Sequence, residues 1–161
     1  MVLMEFEQHT TIDLPANRLD VPKWLFGMTD REYQRCAKGH RAAGTFVESG
    51  TRGMVNVESI GGHLLVQHYR EDSSKPSEVV MVSPKSRIYL THVLPATLGV
   101  RWVMSVTPVT DSTSRFTCRV ELEVPAWMRV MGLFAGMRYS IQAHVDEETI
   151  GYAQSLARSA A

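Results

Sequence analysis

Histidines are the residues of this sequence best suited to move protons near neutral pH, and the chain has six of them. His68 follows Leu64 and Val66 on one face of a predicted strand, and His92 follows a second apolar pair in the same way. An imidazole that projects among apolar side chains could orient a ligand hydroxyl or act as a general base towards an enol. We therefore take His68 and His92 as the candidate catalytic residues.

The inward face of the strand that carries His68 is open to two assignments. Its apolar residues fall on both faces, and the alternative inward set is Leu65, Gln67 and Tyr69. That alternative would leave His68 at the rim or on the surface. The same ambiguity applies to His92.

His144 and Glu148 lie one helical turn apart, so their side chains can touch. A carboxylate beside an imidazole orients the ring and raises its pKa, which would serve proton transfer. The alternative is that this pair only attaches the helix to a sheet.

Metal-ligand spacing is missing from the sequence. His63 and His68 are five residues apart on a predicted strand and point to opposite faces, and the patterns HxH and HExxH do not occur. Cys36 and Cys118 lack a CxxC pattern, so we expect two reduced, partly buried thiols. The sequence predicts neither a metal site nor an organic cofactor.

Length and charge limit the classes of function. A chain of 161 residues fits one domain, which we assign to residues 1–161. Seventeen basic residues balance seventeen acidic ones without a basic run, so nucleic acid is not an expected partner. The start "MVLMEFEQHTT" lacks the pattern of a secretory signal, and no stretch is long and apolar enough to predict a transmembrane segment. We expect a cytoplasmic protein.

Period-2 patterns dominate the first 124 residues. Residues 4–13 alternate as a strand does, and two short helices follow, over 21–28 and from Thr29, which has a glutamate at capping-box spacing. Residues 41–124 form a series of β segments joined by short turns. Such turns are too short for parallel crossovers, so the pattern predicts an antiparallel meander.

A long amphipathic helix ends the chain. Its apolar positions recur at three- and four-residue steps: Val130, Phe134, Met137, Ile141, Val145, Tyr152 and Leu156. The segment "FTCRVELEV" presents one apolar and one charged face, and a sheet of that kind must cover its apolar face. The fold class is therefore α+β, with a sheet of about seven strands beneath the helix.

Three stretches carry a family resemblance: "TIDLPANRLDVPKWLFGMTDREYQRC", "GTFVESGTRGMVNVESIGGHLLVQHYRE" and "HVDEETIGYAQSLA". With the order of elements, they resemble the helix-grip superfamily of START and Bet v 1-like proteins, which includes bacterial polyketide cyclases. The resemblance covers essentially the whole chain. It implies a curved sheet wrapped around the last helix and a cavity between them that holds a hydrophobic small molecule.

The residues expected to line that cavity are inward strand positions and the inner stripe of the helix. They are Phe6, Thr10, Val55, Val57, Trp102, Met104, Phe134, Met137, Ile141 and His144. In a cyclase-type enzyme, a tyrosine hydroxyl would assist the histidines. The candidates are Tyr33, Tyr69 and Tyr89.

Three functions remain open at this point. A carrier for a lipid, polyketide or aromatic metabolite requires a closed, mostly apolar cavity. A cyclase, aromatase or dehydrase requires at least two convergent ionisable side chains inside the cavity. A protein-interaction module, with a possible homodimer through residues 79–83, requires a filled core and a large apolar interface.

Overall fold

The computed structural model describes the fold of residues 1–130 and 133–160. Within these ranges it describes every side chain except those of residues 2, 129–130 and 133–135. The elements and contacts given below refer to these residues.

Seven strands form one curved antiparallel sheet, as the sequence predicted. The strands are β1 (Val2–Ile12), β2 (His40–Glu48), β3 (Thr51–Ile60), β4 (His63–Lys75), β5 (Glu78–Leu90), β6 (Leu94–Pro108) and β7 (Ser114–Val124). Their order in the sheet is β1-β7-β6-β5-β4-β3-β2. Short turns place each strand from β2 to β7 beside its neighbour in sequence. Strand β2 forms one edge of the sheet, and β1, which pairs with β7, forms the other.

Two predicted segments of the meander are one strand. Strand β5 runs through Pro84, and its register against β6 shifts between Ser83 and Ser86. Proline cannot donate a ladder hydrogen bond, so it lies where the pairing is already irregular. The apolar run that includes Met81 is central in the sheet, and Val80 is 4% exposed opposite Val103. These side chains are covered within one chain, and the homodimer remains a prediction.

The second of the two short helices begins where its predicted capping residue, Thr29, places it. After a 3-10 turn at Ala16–Arg18 come α1 (Val21–Phe26) and α2 (Asp30–Cys36), and the chain ends with α3 (Ala126–Val130) and α4 (Leu133–Ser159). The Asp20 carboxylate accepts a hydrogen bond from the Lys23 amide at 2.9 Å, and the Thr29 hydroxyl accepts one from the Glu32 amide at 3.2 Å. Among the described helices, none is apolar over enough residues to cross a membrane.

Helix α4 lies across the inner face of the sheet, as expected for its apolar stripe. Val145, Tyr152 and Leu156 are at most 1% exposed. The Tyr152 ring lies 5.6 Å, centroid to centroid, from both Trp24 and Trp102. Aromatic packing thus joins α4 to α1 on one side and to β6 on the other.

The inner face of β3 differs from the expected one. Buried positions are Met54, Asn56 and Glu58, whereas Val55 and Val57 are half-buried on the opposite face. The assignment of Val55 and Val57 to the cavity wall was therefore wrong. Hydrophobicity selected the wrong face because β3 carries polar residues inward.

Gly151 is where α4 approaches α2 most closely. A Cβ atom at this position would lie 2.0 Å from the carbonyl oxygen of Cys36, which is backbone and cannot rotate away. We expect Gly151→Ala to lower the free energy of unfolding by about 3 kcal/mol, because the two helices must separate. Urea denaturation monitored by circular dichroism measures this loss.

Gly136 provides the control in the same helix. A Cβ atom there meets nothing within 4 Å. Alanine is favoured over glycine in a helix interior by about 1 kcal/mol, so Gly136→Ala should be neutral or stabilising. Equal losses in the two variants would show that α4 does not pack on Cys36 as described.

Candidate functional site

Four ionisable side chains meet beneath α4. They form what we call the polar cluster, whose members are His40, Glu58, His144 and Glu148. Each residue is at most 8% exposed, and one imidazole nitrogen or carboxylate oxygen from each lies within 4.8 Å of the others. Burying charged groups is costly unless they are paired, so this arrangement is the first candidate for a functional centre.

The sheet and the helix each contribute half of the polar cluster. His40 is the first residue of β2 and is the register partner of Glu58 on β3. His144 and Glu148 are one turn apart on α4. Gly39 allows the close approach, since a Cβ atom there would lie 2.9 Å from both His144 Nδ1 and the Ser59 carbonyl oxygen.

The two carboxylates accept hydrogen bonds from buried neighbours. Tyr33 donates its hydroxyl to Glu58 Oε1 at 2.5 Å, and Gln67 donates its amide to Glu58 Oε2 at 3.2 Å. The Cys118 thiol donates to Glu148 Oε1 at 3.6 Å. These donors hold the carboxylate planes in fixed orientations.

The two imidazoles turn Nε2 towards the carboxylates. Nδ1 of His40 lies 2.7 Å from the Tyr33 carbonyl oxygen, which can only accept, so Nδ1 carries a proton. Nε2 of His40 lies 3.3 Å from Glu148 Oε2. Nε2 of His144 lies 3.6 Å from Glu148 Oε2 and 3.9 Å from Glu58 Oε2, and this buried nitrogen has no hydrogen-bond partner among the described residues.

Burial and charge act in opposite directions on the pKa values of this site. Burial alone lowers the pKa of His40, but the hydrogen bond to Glu148 and the nearby Glu58 carboxylate outweigh it, so the pKa is raised. Burial alone raises the pKa of Glu58, but the two imidazoles and the Tyr33 hydroxyl lower it overall. Burial raises the pKa of Tyr33 well above its ordinary value, so its hydroxyl stays a neutral donor.

A small cavity adjoins the polar cluster. Its volume is about 30 Å³, the space of roughly one water molecule. Polar walls come from Glu58, His144 and Glu148 of the cluster and from Asn56 and Gln67. Apolar walls come from β3, β4, β6, β7 and α4: Ile60, Leu65, Tyr69, Trp102, Val120, Leu122, Ile141 and Val145. A larger depression of about 680 Å³ lies outside, beside α1 and the end of α4, where Arg158 is already paired with Glu32 at 2.8 Å.

Comparison with known proteins gives a likeness of structure only. No protein-family model and no curated protein matches the chain. The protein TTHA0849 of Thermus thermophilus superposes with a TM-score of 0.70 at 12% identity, over 98% of this chain and 100% of the other. The Zhui aromatase/cyclase of a Streptomyces species superposes with a TM-score of 0.61 at 13% identity, over 99% of this chain and 94% of the other. A START superfamily protein of Mycobacterium smegmatis superposes with a TM-score of 0.53 at 8% identity, over 88% of this chain and 96% of the other.

The chain has the START/Bet v 1-like helix-grip fold. At identities this low the likeness extends to the fold and not to an activity.

The predicted catalytic histidines lie outside the space between the sheet and α4. His68 is exposed, with its ring 5.0 Å from that of Phe46, because the alternate residues of β4 face inward. His92 is exposed in the turn after β5, where its backbone adopts a positive φ of 62°. The structure brings neither residue to the polar cluster.

The predicted cavity residues other than Val55 and Val57 do not share one location. Trp102, Ile141 and His144 line the small cavity. Phe6, Met104 and Met137 are buried in the core, and Thr10 is half-buried on β1. Phe134 lies outside the residues whose side chains the structure describes.

Sequence reasoning missed two residues of the polar cluster, His40 and Glu58, and it predicted Glu148 only as the helical partner of His144. Glu148 gave a detectable signal, because a carboxylate on the apolar stripe of a helix requires a buried partner. Tyr33 was a predicted acid–base candidate and does contact the cluster. The structure brings His144 and Glu148, the pair at helical spacing, to within 3.6 Å of each other.

Proposed function

We propose that this protein is an enzyme that acts on a small, largely hydrophobic molecule of the aromatic or polyketide class. The substrate would lie between the sheet and α4 with its polar end at the polar cluster. The observation that carries this proposal is the convergence of four buried ionisable groups beside a largely apolar wall.

The convergence of ionisable groups in the polar cluster favours an enzyme over a carrier. His40 is within 3.3 Å of Glu148, and the Tyr33 hydroxyl is within 2.5 Å of Glu58. A carrier held by apolar burial gains nothing from two buried carboxylates, each of which costs several kcal/mol to desolvate. An enzyme can use the same groups to accept and return protons.

The size of the cavity indicates how a substrate would enter. Drug-sized ligands occupy sites of roughly 300–1,000 Å³, and the cavity of this structure is about 30 Å³. Binding would therefore displace wall side chains such as Trp102 and Leu65. Closure around a bound substrate would then exclude water from the polar cluster.

Conversion of a substrate panel tests this proposal. Aryl ketones, aryl esters and polyketone thioesters would be incubated with the protein and followed by liquid chromatography and mass spectrometry. We expect at least one class to be converted, and Glu58→Gln to reduce the rate by about 10²- to 10⁴-fold. The amide keeps one acceptor oxygen for Gln67, and its NH2 group can donate to the Tyr33 hydroxyl oxygen, so the fold should survive.

Glu71→Gln is the matched control, because Glu71 also accepts two hydrogen bonds but pairs with the half-exposed Arg52. This variant should keep the wild-type rate. If the wild type only retains a panel member without converting it, the protein is a carrier. Equal rates in wild type and Glu58→Gln would exclude the polar cluster from the chemistry.

A further inference from the structure

The polar cluster combines two imidazoles and two carboxylates around one point. Each presents a ligand atom, and none of the four atoms is more than 4.8 Å from another. Two of these groups come from neighbouring strands and two from one turn of α4. Side chains that converge from three elements form a site that is held in place before any ligand arrives.

The separations between the ligand atoms suit a single small ion. Contacts from imidazole nitrogen to carboxylate oxygen measure 3.3, 3.6, 3.9 and 4.0 Å. Nitrogen and oxygen ligands bound tetrahedrally to zinc at about 2.0–2.1 Å lie about 3.3–3.4 Å apart. The four ligand atoms lie within 4.8 Å of one another, so coordination would require them to approach by up to about 1.4 Å.

The polar groups of the cluster are incompletely paired without an ion. Nε2 of His144 is buried and has no hydrogen-bond partner among the described residues, although it faces both carboxylates. No described lysine or arginine nitrogen lies within 4.0 Å of Glu58 or Glu148. A divalent cation would balance two buried carboxylates whose ion-pair partners among the described residues are histidines.

Outer contacts orient three of the four groups. The Tyr33 carbonyl fixes the His40 tautomer that leaves Nε2 free to bind, while Tyr33 and Gln67 hold Glu58. Cys118 contacts the Glu148 oxygen that points away from His40. Metal-binding histidines and carboxylates in proteins have outer hydrogen bonds of this kind.

We infer that the polar cluster binds one divalent transition-metal ion. Zinc is the first candidate, since it takes imidazole and carboxylate ligands and tolerates four or five of them. This inference deepens the proposed function and rests on it for the reaction, because a bound zinc polarises a carbonyl oxygen or lowers the pKa of a water. The substrate class would then be one that carries a carbonyl group next to its apolar part.

Metal content and metal binding test the inference directly. Protein purified from zinc-supplemented medium should contain about one zinc per chain by plasma mass spectrometry. Calorimetric titration with zinc chloride should show affinity reduced on the order of 100-fold in His144→Asn and Glu148→Gln, because each loses a direct ligand. The variant His68→Asn should bind zinc as the wild type does, because the His68 side chain is exposed and does not face α4.

A cobalt titration of the wild-type protein tests the metal site without relying on variants, which could fail to fold. Cobalt chloride added to chelator-treated wild type should produce visible absorption bands of nitrogen- and oxygen-bound cobalt, and zinc should abolish them. Wild type that neither contains zinc nor develops these bands would overturn the inference. So would His68→Asn losing as much affinity as His144→Asn.

The outcomes separate this inference from the proposed function. Chelator-treated protein that converts its substrate at the full rate contradicts the metal inference and leaves the enzyme proposal intact. Protein that binds zinc in the polar cluster but converts no substrate in the panel supports the metal site and contradicts the proposed function.

Discussion

Glu58→Ala should lower the free energy of unfolding of chelator-treated protein by about 3 kcal/mol, because two fully buried donors lose their acceptor. The Tyr33 hydroxyl and the Gln67 amide both donate to Glu58, and both residues are at most 4% exposed. An unsatisfied buried donor costs about 1–3 kcal/mol. Both imidazoles also lose a facing carboxylate. Urea denaturation in the presence of a chelator measures the loss without a contribution from metal.

Glu71→Ala is the matched comparison. Glu71 accepts two hydrogen bonds from Arg52 at 2.7 and 2.6 Å, but the Arg52 side chain is 38% exposed. Water can replace the lost acceptor, so this variant should cost about 1 kcal/mol or less. If the two variants destabilise the protein equally, the polar cluster is open to water and the buried site described above does not exist.

Trp102→Ala should destabilise the protein by about 3–5 kcal/mol and should open the cavity beside the polar cluster. Trp102 is 2% exposed, packs against Tyr69 and Tyr152, and donates its indole N–H to the Cys118 sulfur at 3.3 Å. Truncation removes these contacts and leaves a void. For a chain of this length we expect Tm to fall by about 10 °C or more.

Added indole should reverse part of this loss. A ligand that binds only the folded state stabilises it by RT ln(1 + L/Kd), where L is the free ligand concentration, so Tm rises with ligand concentration. Apolar cavities accept aromatic molecules of matching size. Trp127, which is 45% exposed, provides the control. Trp127→Ala should lower Tm only slightly, and added indole should not restore it. Rescue of both variants, or of neither, would contradict the assignment of Trp102 to the wall of an expandable cavity.

Much of the fold follows from periodicity. The alternation along β7 and the apolar stripe of α4 predicted a half-covered sheet beneath a long helix, which the structure confirms. The cap at Thr29 was predicted from local chemistry alone. These features depend on residues close in sequence, so sequence patterns reveal them.

The site was harder to predict because it violates the patterns that predict the fold. On β3 the inward residues include Asn56 and Glu58 and the outward ones are Val55 and Val57, so a search for the apolar face selects the wrong side. Residues that carry function are where sequence rules are expected to fail. His40 begins β2 and meets Glu148 across 108 residues of chain, a distance in sequence that no spacing rule covers.

The most direct test of this account is anomalous diffraction at the zinc edge from crystals grown with zinc chloride. We expect one peak beneath α4, at about 2.0–2.2 Å from an imidazole nitrogen or carboxylate oxygen of each residue in the polar cluster. Zinc found only on the surface, with His40 Nε2 still hydrogen-bonded to Glu148, would contradict the central claim that these four buried residues form a metal centre.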